Sequence, residues 1–209
     1  MTGRGVLVTF EGPEGSGKTT QLRLLADRLR SSGRDVVETQ EPGGTPIGVQ
    51  IRHVLLDAKN RELCPTAELL LMFASRAQNV DQCILPALAS GRMVLSDRFT
   101  DSTLVYQGAG RGLGAEVVYE LDRIACRGLV PDLTLLIDID VETGLARARS
   151  RGDQETRIEE QGAAFHRKVR DAYRQLASDE PKRVRLIDGS QSREKVAEQV
   201  WDAVRALVT

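Results

Sequence analysis

Val6-Leu7-Val8-Thr9-Phe10-Glu11 runs directly into Gly12-Pro13-Glu14-Gly15-Ser16-Gly17-Lys18-Thr19, and this stretch decides the fold. Its first five residues, Val6 to Phe10, are β-branched and apolar and read as a buried strand. Its second part is the pattern G-x-x-x-x-G-K-[ST]. Behind Lys18 the apolar residues Leu22, Leu25, Ala26 and Leu29 recur at helical spacing. Strand, glycine loop and helix, in that order, are the context a phosphate-binding loop requires. Gly12, Gly15 and Gly17 let the backbone turn sharply and bring N–H groups toward an anion. The start of the helix adds partial positive charge. Lys18 is placed to reach the β- and γ-phosphates and the Thr19 hydroxyl to ligate Mg²⁺. Residues Gly12 through Thr20 are therefore expected to bind a nucleoside triphosphate. An ordinary glycine-rich turn would leave the Lys-Thr pair, at this spacing behind a strand, unexplained.

Outward from this loop, strands and helices alternate. Asp35 to Thr39 reads as a second strand after Gly33 closes the first helix. Glu41-Pro42-Gly43-Gly44 is rich in breakers, and Ile47 to Leu56 is helical in pattern. Pro65 can open the next helix, which carries Leu69, Leu70, Phe73, Ala77 and Val80 and runs toward Pro86, where a kink or restart is expected. Met93 to Leu95, Leu133 to Ile137 and Val184 to Ile187 complete the strands. Apolar strands alternating with helices predict an α/β fold, a five-stranded parallel sheet with helices on both faces. A chain of 209 residues suits one such domain. Gly108 to Gly114 could be a plain connection between helices.

Lys plus Arg total 29 and Asp plus Glu total 30, a net charge of −1 that argues against a polyanion-coating protein, so no nucleic-acid partner is expected. Cys64, Cys83 and Cys126 have neither a close pair nor metal-ligand spacing and read as free thiols of a reducing cytosol. His53 and His166 lie among charged residues on helical segments and read as solvated. No apolar segment approaches a membrane span and no signal peptide is evident, so a soluble cytoplasmic protein without membrane partners is expected.

Ser96-Asp97-Arg98 follows the third strand directly. Ligands of open α/β sheets bind outside the carboxyl ends of the strands. Asp97 is thus placed to meet Mg²⁺ and Arg98 to meet a phosphate, against the blander reading of a surface ion pair. Asp138, which ends the strand begun at Leu133, is the rival metal aspartate; Asp97 ranks higher because an arginine adjoins it. Phe73 and Arg76 share a helix face, where a ring beside a guanidinium can stack on a base and bond its edge. A core phenylalanine beside a solvated charge is the alternative. Arg147, Arg149, Arg151 and Arg157 cluster around Gly152 and Asp153. Such a run is often a solvated face. Behind a phosphate-binding loop it can instead be a mobile flap at about residues 147–158 that stabilises transition-state charge and excludes water.

At this point the chain resembles the thymidylate kinase family over essentially its whole length. The resemblance rests on Phe10 to Thr20, Glu41-Pro-Gly-Gly-Thr45, Leu71-Met-Phe-Ala-Ser-Arg-Ala-Gln78, Ser96-Asp-Arg-Phe99, Ser102-Thr-Leu-Val-Tyr-Gln-Gly108, Pro131-Asp-Leu-Thr134 and the arginine flap. It implies the three-layer fold of P-loop nucleoside monophosphate kinases and transfer of the γ-phosphoryl group of ATP to dTMP, with Mg²⁺. It implies that Phe73 stacks on thymine and Arg76 reaches its carbonyl edge. It gives Arg98, with Arg52, the acceptor phosphate, and Glu14 a place near the sugar hydroxyl. Tyr106 would crowd the 2′ position, and Glu41, Thr103 and Gln107 would flank the acceptor. Some members carry the catalytic arginine in the glycine loop; this chain has Gly15 there, which shifts that role to Arg149 or Arg151 in the lid. The resemblance also implies a homodimer, for which the apolar faces of helices 47–56 and 66–85 are candidates.

Two rivals remain at the level of sequence. One is a kinase of the same architecture acting on another nucleotide or small acceptor. The other is a nucleotide-dependent switch. The chain has no evident guanine-reading Asn-Lys-x-Asp segment, and it has a candidate second anion site that a switch does not need.

Overall fold

The computed structural model describes residues 4–150 and 157–208. At its centre lies a five-stranded, wholly parallel sheet: β1 (Leu7–Glu11), β2 (Val36–Gln40), β3 (Met93–Asp97), β4 (Leu133–Asp138) and β5 (Val184–Asp188), in the spatial order β2-β3-β1-β4-β5. The order reverses direction at β1. The phosphate-binding loop follows β1 and so leaves the sheet at its switch point, between the ends of β3 and β4, where such sheets bind ligands.

Side-chain alternation builds the layers. Val8 and Phe10 of β1, Met93 and Leu95 of β3, and Leu133, Leu135 and Ile137 of β4 share one face. They pack against α1 (Lys18–Ser31) and, near β5, α9 (Arg193–Val204). Leu7 and Val94 face the other way, onto α3 (Pro65–Asn79) and α6 (Ala115–Ala125). Leu136 and Val184 meet α8 (Ala163–Asp179) through Val169 and Tyr173. Helices therefore cover both faces, and the edge strands β2 and β5 are half exposed where the central strands are buried.

The strands predicted from sequence are all present, each extended by one residue or more toward the ligand end. Helix α2 spans Pro46–Leu56, with Thr45 as its cap. The kink or restart expected near Pro86 takes the form of a restart, with Pro86 in the first turn of a new α-helical segment. After α3 the helix widens into a π-type segment, Val80–Ile84, and resumes as α4 (Leu85–Ala89). Likewise Gly108 and Gly110 belong to a second π-type segment, Leu104–Gly110, which continues the short α5 (Thr100–Thr103); only the remainder to Gly114 is a connection. The three cysteines are free. No helix among the described residues is long and apolar enough to cross a membrane.

Candidate active site

The glycine loop is tied down on both sides. A Cβ on Gly12 would stand 2.3 Å from the Ile137 carbonyl oxygen, and one on Gly15 1.9 Å from that of Gly144. Both glycines also have positive φ, 140° and 68°. Gly144 lies in α7 (Val141–Arg149), so the loop rests directly on the helix that leads to residues 147–158. A larger residue at Gly15, such as the arginine of other family patterns, has no room here. Lys18 curls back over the loop. Its Nζ donates to the carbonyls of Gly12 (3.1 Å) and Pro13 (2.9 Å) and to Ser16 Oγ (3.4 Å). Burial, and then the neighbouring Arg98, push its amine down to about 8. One residue on, Thr19 Oγ1 lies 2.5 Å from Asp97 Oδ2.

Arg98 follows Asp97 with φ 73°, a left-handed conformation unusual for a side-chain-bearing residue. Its amide donates to Phe10 O at 2.9 Å, and its carbonyl accepts from Ser96 Oγ at 2.7 Å. The guanidinium reaches Glu14 Oε1 (2.7 Å), the Tyr106 hydroxyl (3.2 Å) and the Tyr173 hydroxyl (3.2 Å). Tyr106 also bonds Glu14, at 3.1 Å. Burial alone would raise the Glu14 carboxyl, but Arg98 and Lys18 outweigh it and hold Glu14 at about 2. Arg52, on α2, donates to the Pro42 carbonyl at 2.9 Å and faces the same cleft. That cleft, about 460 Å³, is lined by the loop together with Glu41, Arg52, Asp97, Arg98, Arg147 and Arg193.

Next to it, Arg76 is buried across from Glu41. Its Nε donates to Glu41 Oε2 (2.5 Å), and its Nη2 donates to Phe99 O (2.9 Å) and Thr103 Oγ1 (3.0 Å). Burial opposes the charge, but Glu41 prevails and raises the guanidinium above its ordinary value. Its Nη1 is buried and has no hydrogen-bond partner among the described residues. Phe73 lies under the same guanidinium, 4.9 Å away, and packs in the α3–α6 core, 4 % exposed. Gln107 is committed elsewhere: its amide donates to Glu68 at 2.7 Å.

Two sequence expectations need correction, and Asp138, the lower-ranked metal candidate, is taken up by ion pairs. Asp138 is gripped by Arg170 (2.7 and 3.0 Å) and Arg174 (3.0 and 2.8 Å), so both of its oxygens serve α8. His53 is exposed as expected, but His166 is 1 % exposed, because it sits on the face of α8 that packs inward. Arg157, grouped with the flap arginines from sequence, is instead an anchor at the far end of that segment. It is buried, pairs with Glu68 at 2.6 Å, and its Nε and backbone N–H donate to the carbonyls of Leu55 (3.0 Å) and Leu56 (3.1 Å). Arg149 is exposed at the end of α7; Arg151 lies outside the described residues.

Sequence reasoning assigned no task to Glu11, Tyr173, Glu68 or Arg193. Glu11 was visible in the motif itself, as an acid closing a buried strand. Tyr173 and Arg193 come from helices distant in sequence and carried no local signal.

A glycine loop with its lysine, leaving a five-stranded parallel sheet at its switch point and sharing one cleft with Arg52 and Arg98, defines the fold of a P-loop kinase of nucleoside monophosphates. The family profile described as "Thymidylate kinase" matches residues 10–200. The thymidylate kinase of Pelobacter propionicus is 52% identical over 201 residues, covering 94% of this chain and 92% of the relative. That of Geotalea uraniireducens is 51% identical, covering 97% of each. The chain belongs to the thymidylate kinase family. A crystal structure of thymidylate kinase from Ehrlichia chaffeensis superposes with a TM-score of 0.78 at 32% identity, covering 99% of both chains.

Proposed function

We propose that this chain transfers the γ-phosphoryl group of ATP to dTMP, giving dTDP. The observation that supports the proposal is a single cleft lined by Lys18 and the glycine loop together with Arg98 and Arg52, which we read as a donor grip and an acceptor grip. Both nucleotides are anions, and their mutual repulsion is the obstacle to in-line approach. Cations on both sides of the transfer path lower it, and positioning with charge stabilisation is sufficient without a covalent enzyme intermediate. Glu14 holds the Arg98 guanidinium from within the loop, so the acceptor grip is registered directly on the donor grip. Tyr106 stands beside both, where it would crowd a ribose 2′-hydroxyl.

For the base, Arg76 is the proposed donor to a thymine carbonyl and Phe73 the proposed stacking ring, flanked by Thr103 and, behind its bond to Glu68, Gln107; Glu41 fixes the guanidinium, and all these side chains are buried, so the contact requires the pocket to open around them. Thr19 and Asp97 fit Mg²⁺, which takes few protein oxygens and fills its remaining positions with phosphate and water. When bound, the ion neutralises phosphate charge. Arg149 and Arg151 are the proposed transition-state arginines of a lid at about 147–158 on one kinase domain spanning 1–209. A homodimer is proposed through α2 and α3, where Ile47 (52 %) and Leu70 (51 %) remain exposed. A cytoplasmic location completes the reading.

A coupled ATP assay across dTMP, dUMP, dCMP, dGMP and thymidine tests the function. The expected outcome is Mg²⁺-dependent turnover that is fastest with dTMP. ATP consumption indifferent to the acceptor, or no dTDP formed, overturns it.

A further inference from the structure

The mechanism leaves Glu11 without a task. Glu11 ends β1, one residue before the glycine loop, and is fully buried. A carboxylate there is costly unless it is well bonded. Its Oε1 accepts the N–H groups of Phe99 (2.7 Å) and Ser102 (3.3 Å). These amides belong to the start of α5, where Phe99 has no side chain able to cap them. An acid from the adjoining strand does the capping instead. Its Oε2 accepts the Tyr173 hydroxyl at 2.7 Å, and that same hydroxyl oxygen accepts Arg98 Nη1 at 3.2 Å. Between these two holds stands Arg98, with its left-handed backbone. Backbone strain of this kind persists only where the surroundings over-determine it.

We propose that Glu11 is the positioning residue for Arg98: it clamps the amide that follows the strained backbone and, through Tyr173, the guanidinium that receives the acceptor phosphate. This rests on the reading of Arg98 as the acceptor-phosphate ligand. The charge environment agrees. Asp101 from α5, Arg98 from the end of β3, Tyr173 from α8 and Lys18 from α1 face Glu11. Asp101 is itself answered by Arg183 at 2.7 and 2.9 Å. Burial, then Asp101, push the Glu11 carboxyl up to about 7, against Arg98 and its hydrogen bonds. The fold therefore gains nothing from ionising Glu11, and perturbed groups of this sort cluster at functional sites.

The test is steady-state titration of dTMP and of ATP on wild type, Glu11→Gln, Tyr173→Phe and Arg98→Ala, with thermal melts at about pH 8. Glu11→Gln is expected to raise the dTMP KM about tenfold, the scale of one lost charge-assisted hydrogen bond, with the ATP KM held within about twofold. It should melt no lower than wild type, because the amide carries no buried charge. Tyr173→Phe removes one hydroxyl from the same ring and should raise the dTMP KM about threefold; it decides the matter if Glu11→Gln does not fold. With Arg98→Ala weakening dTMP as expected, an unchanged dTMP KM in the other variants, or equal rises in both KM values, overturns the positioning role. A lower melting point with unchanged KM does the same. If Arg98→Ala itself leaves the dTMP KM unaltered, the reading of the acceptor site falls instead.

Discussion

Lys18 shows how one side chain's surroundings prepare it for a ligand. Its ammonium rests on the loop's own carbonyls, a place an incoming polyphosphate can take over. Lys18→Ala is expected to abolish turnover, a loss of several orders of magnitude in kcat/KM, while circular dichroism and the melting curve stay near wild type. Near-normal turnover would remove the loop from the mechanism. The residue types of the donor grip were legible in sequence because the glycines, lysine and threonine are contiguous. The acceptor grip was only partly so. Asp97-Arg98 was marked by its place behind a strand, but the Glu14, Tyr106 and Tyr173 contacts that hold Arg98 come from three separate elements. Phe73 packs in the core, directly under Arg76.

At the scale of elements, the governing contact is the glycine loop on α7. A Cβ on Gly144 would lie 2.4 Å from the Glu14 carbonyl oxygen, which is backbone and cannot swing aside. Gly144→Ala is therefore expected to lever α7 off the loop. It should destabilise the protein by about 1–3 kcal/mol, the usual cost of overpacking, and raise the ATP KM. A chemical denaturation curve coincident with wild type would show that the contact yields freely. A second junction lies at the far end of residues 147–158. There Arg157 stitches the chain to the last carbonyls of α2 and to Glu68 of α3, the helices that carry Arg52, Phe73 and Arg76. Composition alone cannot separate such an anchor from its neighbours: four arginines within eleven residues look alike until burial sorts them.

For the molecule as a whole, two carboxylates pull stability in opposite directions with pH. Glu11 is raised from 4.5 to about 7, so the folded state favours its protonated form; that contribution is complete below 4.5 and is lost as pH rises through 7. Glu14 is lowered from 4.5 to about 2, so its contribution is present above 4.5 and is lost as pH falls toward 2. Wild type is therefore expected to lose melting temperature between about pH 5 and pH 8 relative to Glu11→Gln, and differential scanning fluorimetry of the pair reads this directly. Parallel curves would mean that Glu11 does not titrate in this range. The exposed apolar residues of α2 and α3 set a further expectation. Leu70→Glu places a charge in the proposed contact and should shift the sedimentation coefficient from dimer toward monomer; an unaltered coefficient would place the interface elsewhere.

Local pattern by itself determined the strand–loop–helix at the N-terminus, the alternation that makes a parallel sheet, and the glycine, lysine and threonine content of the loop. Each of these depends on neighbours in the chain, through backbone geometry and the periods of strand and helix. Tertiary structure alone decided that Asp138 serves two arginines, that Arg157 is an anchor, that His166 is buried and that Glu11 sits behind Arg98. Those outcomes depend on which distant charges the sheet brings within a few ångströms, and on how far water is excluded there. Neither quantity is carried by any short stretch of sequence.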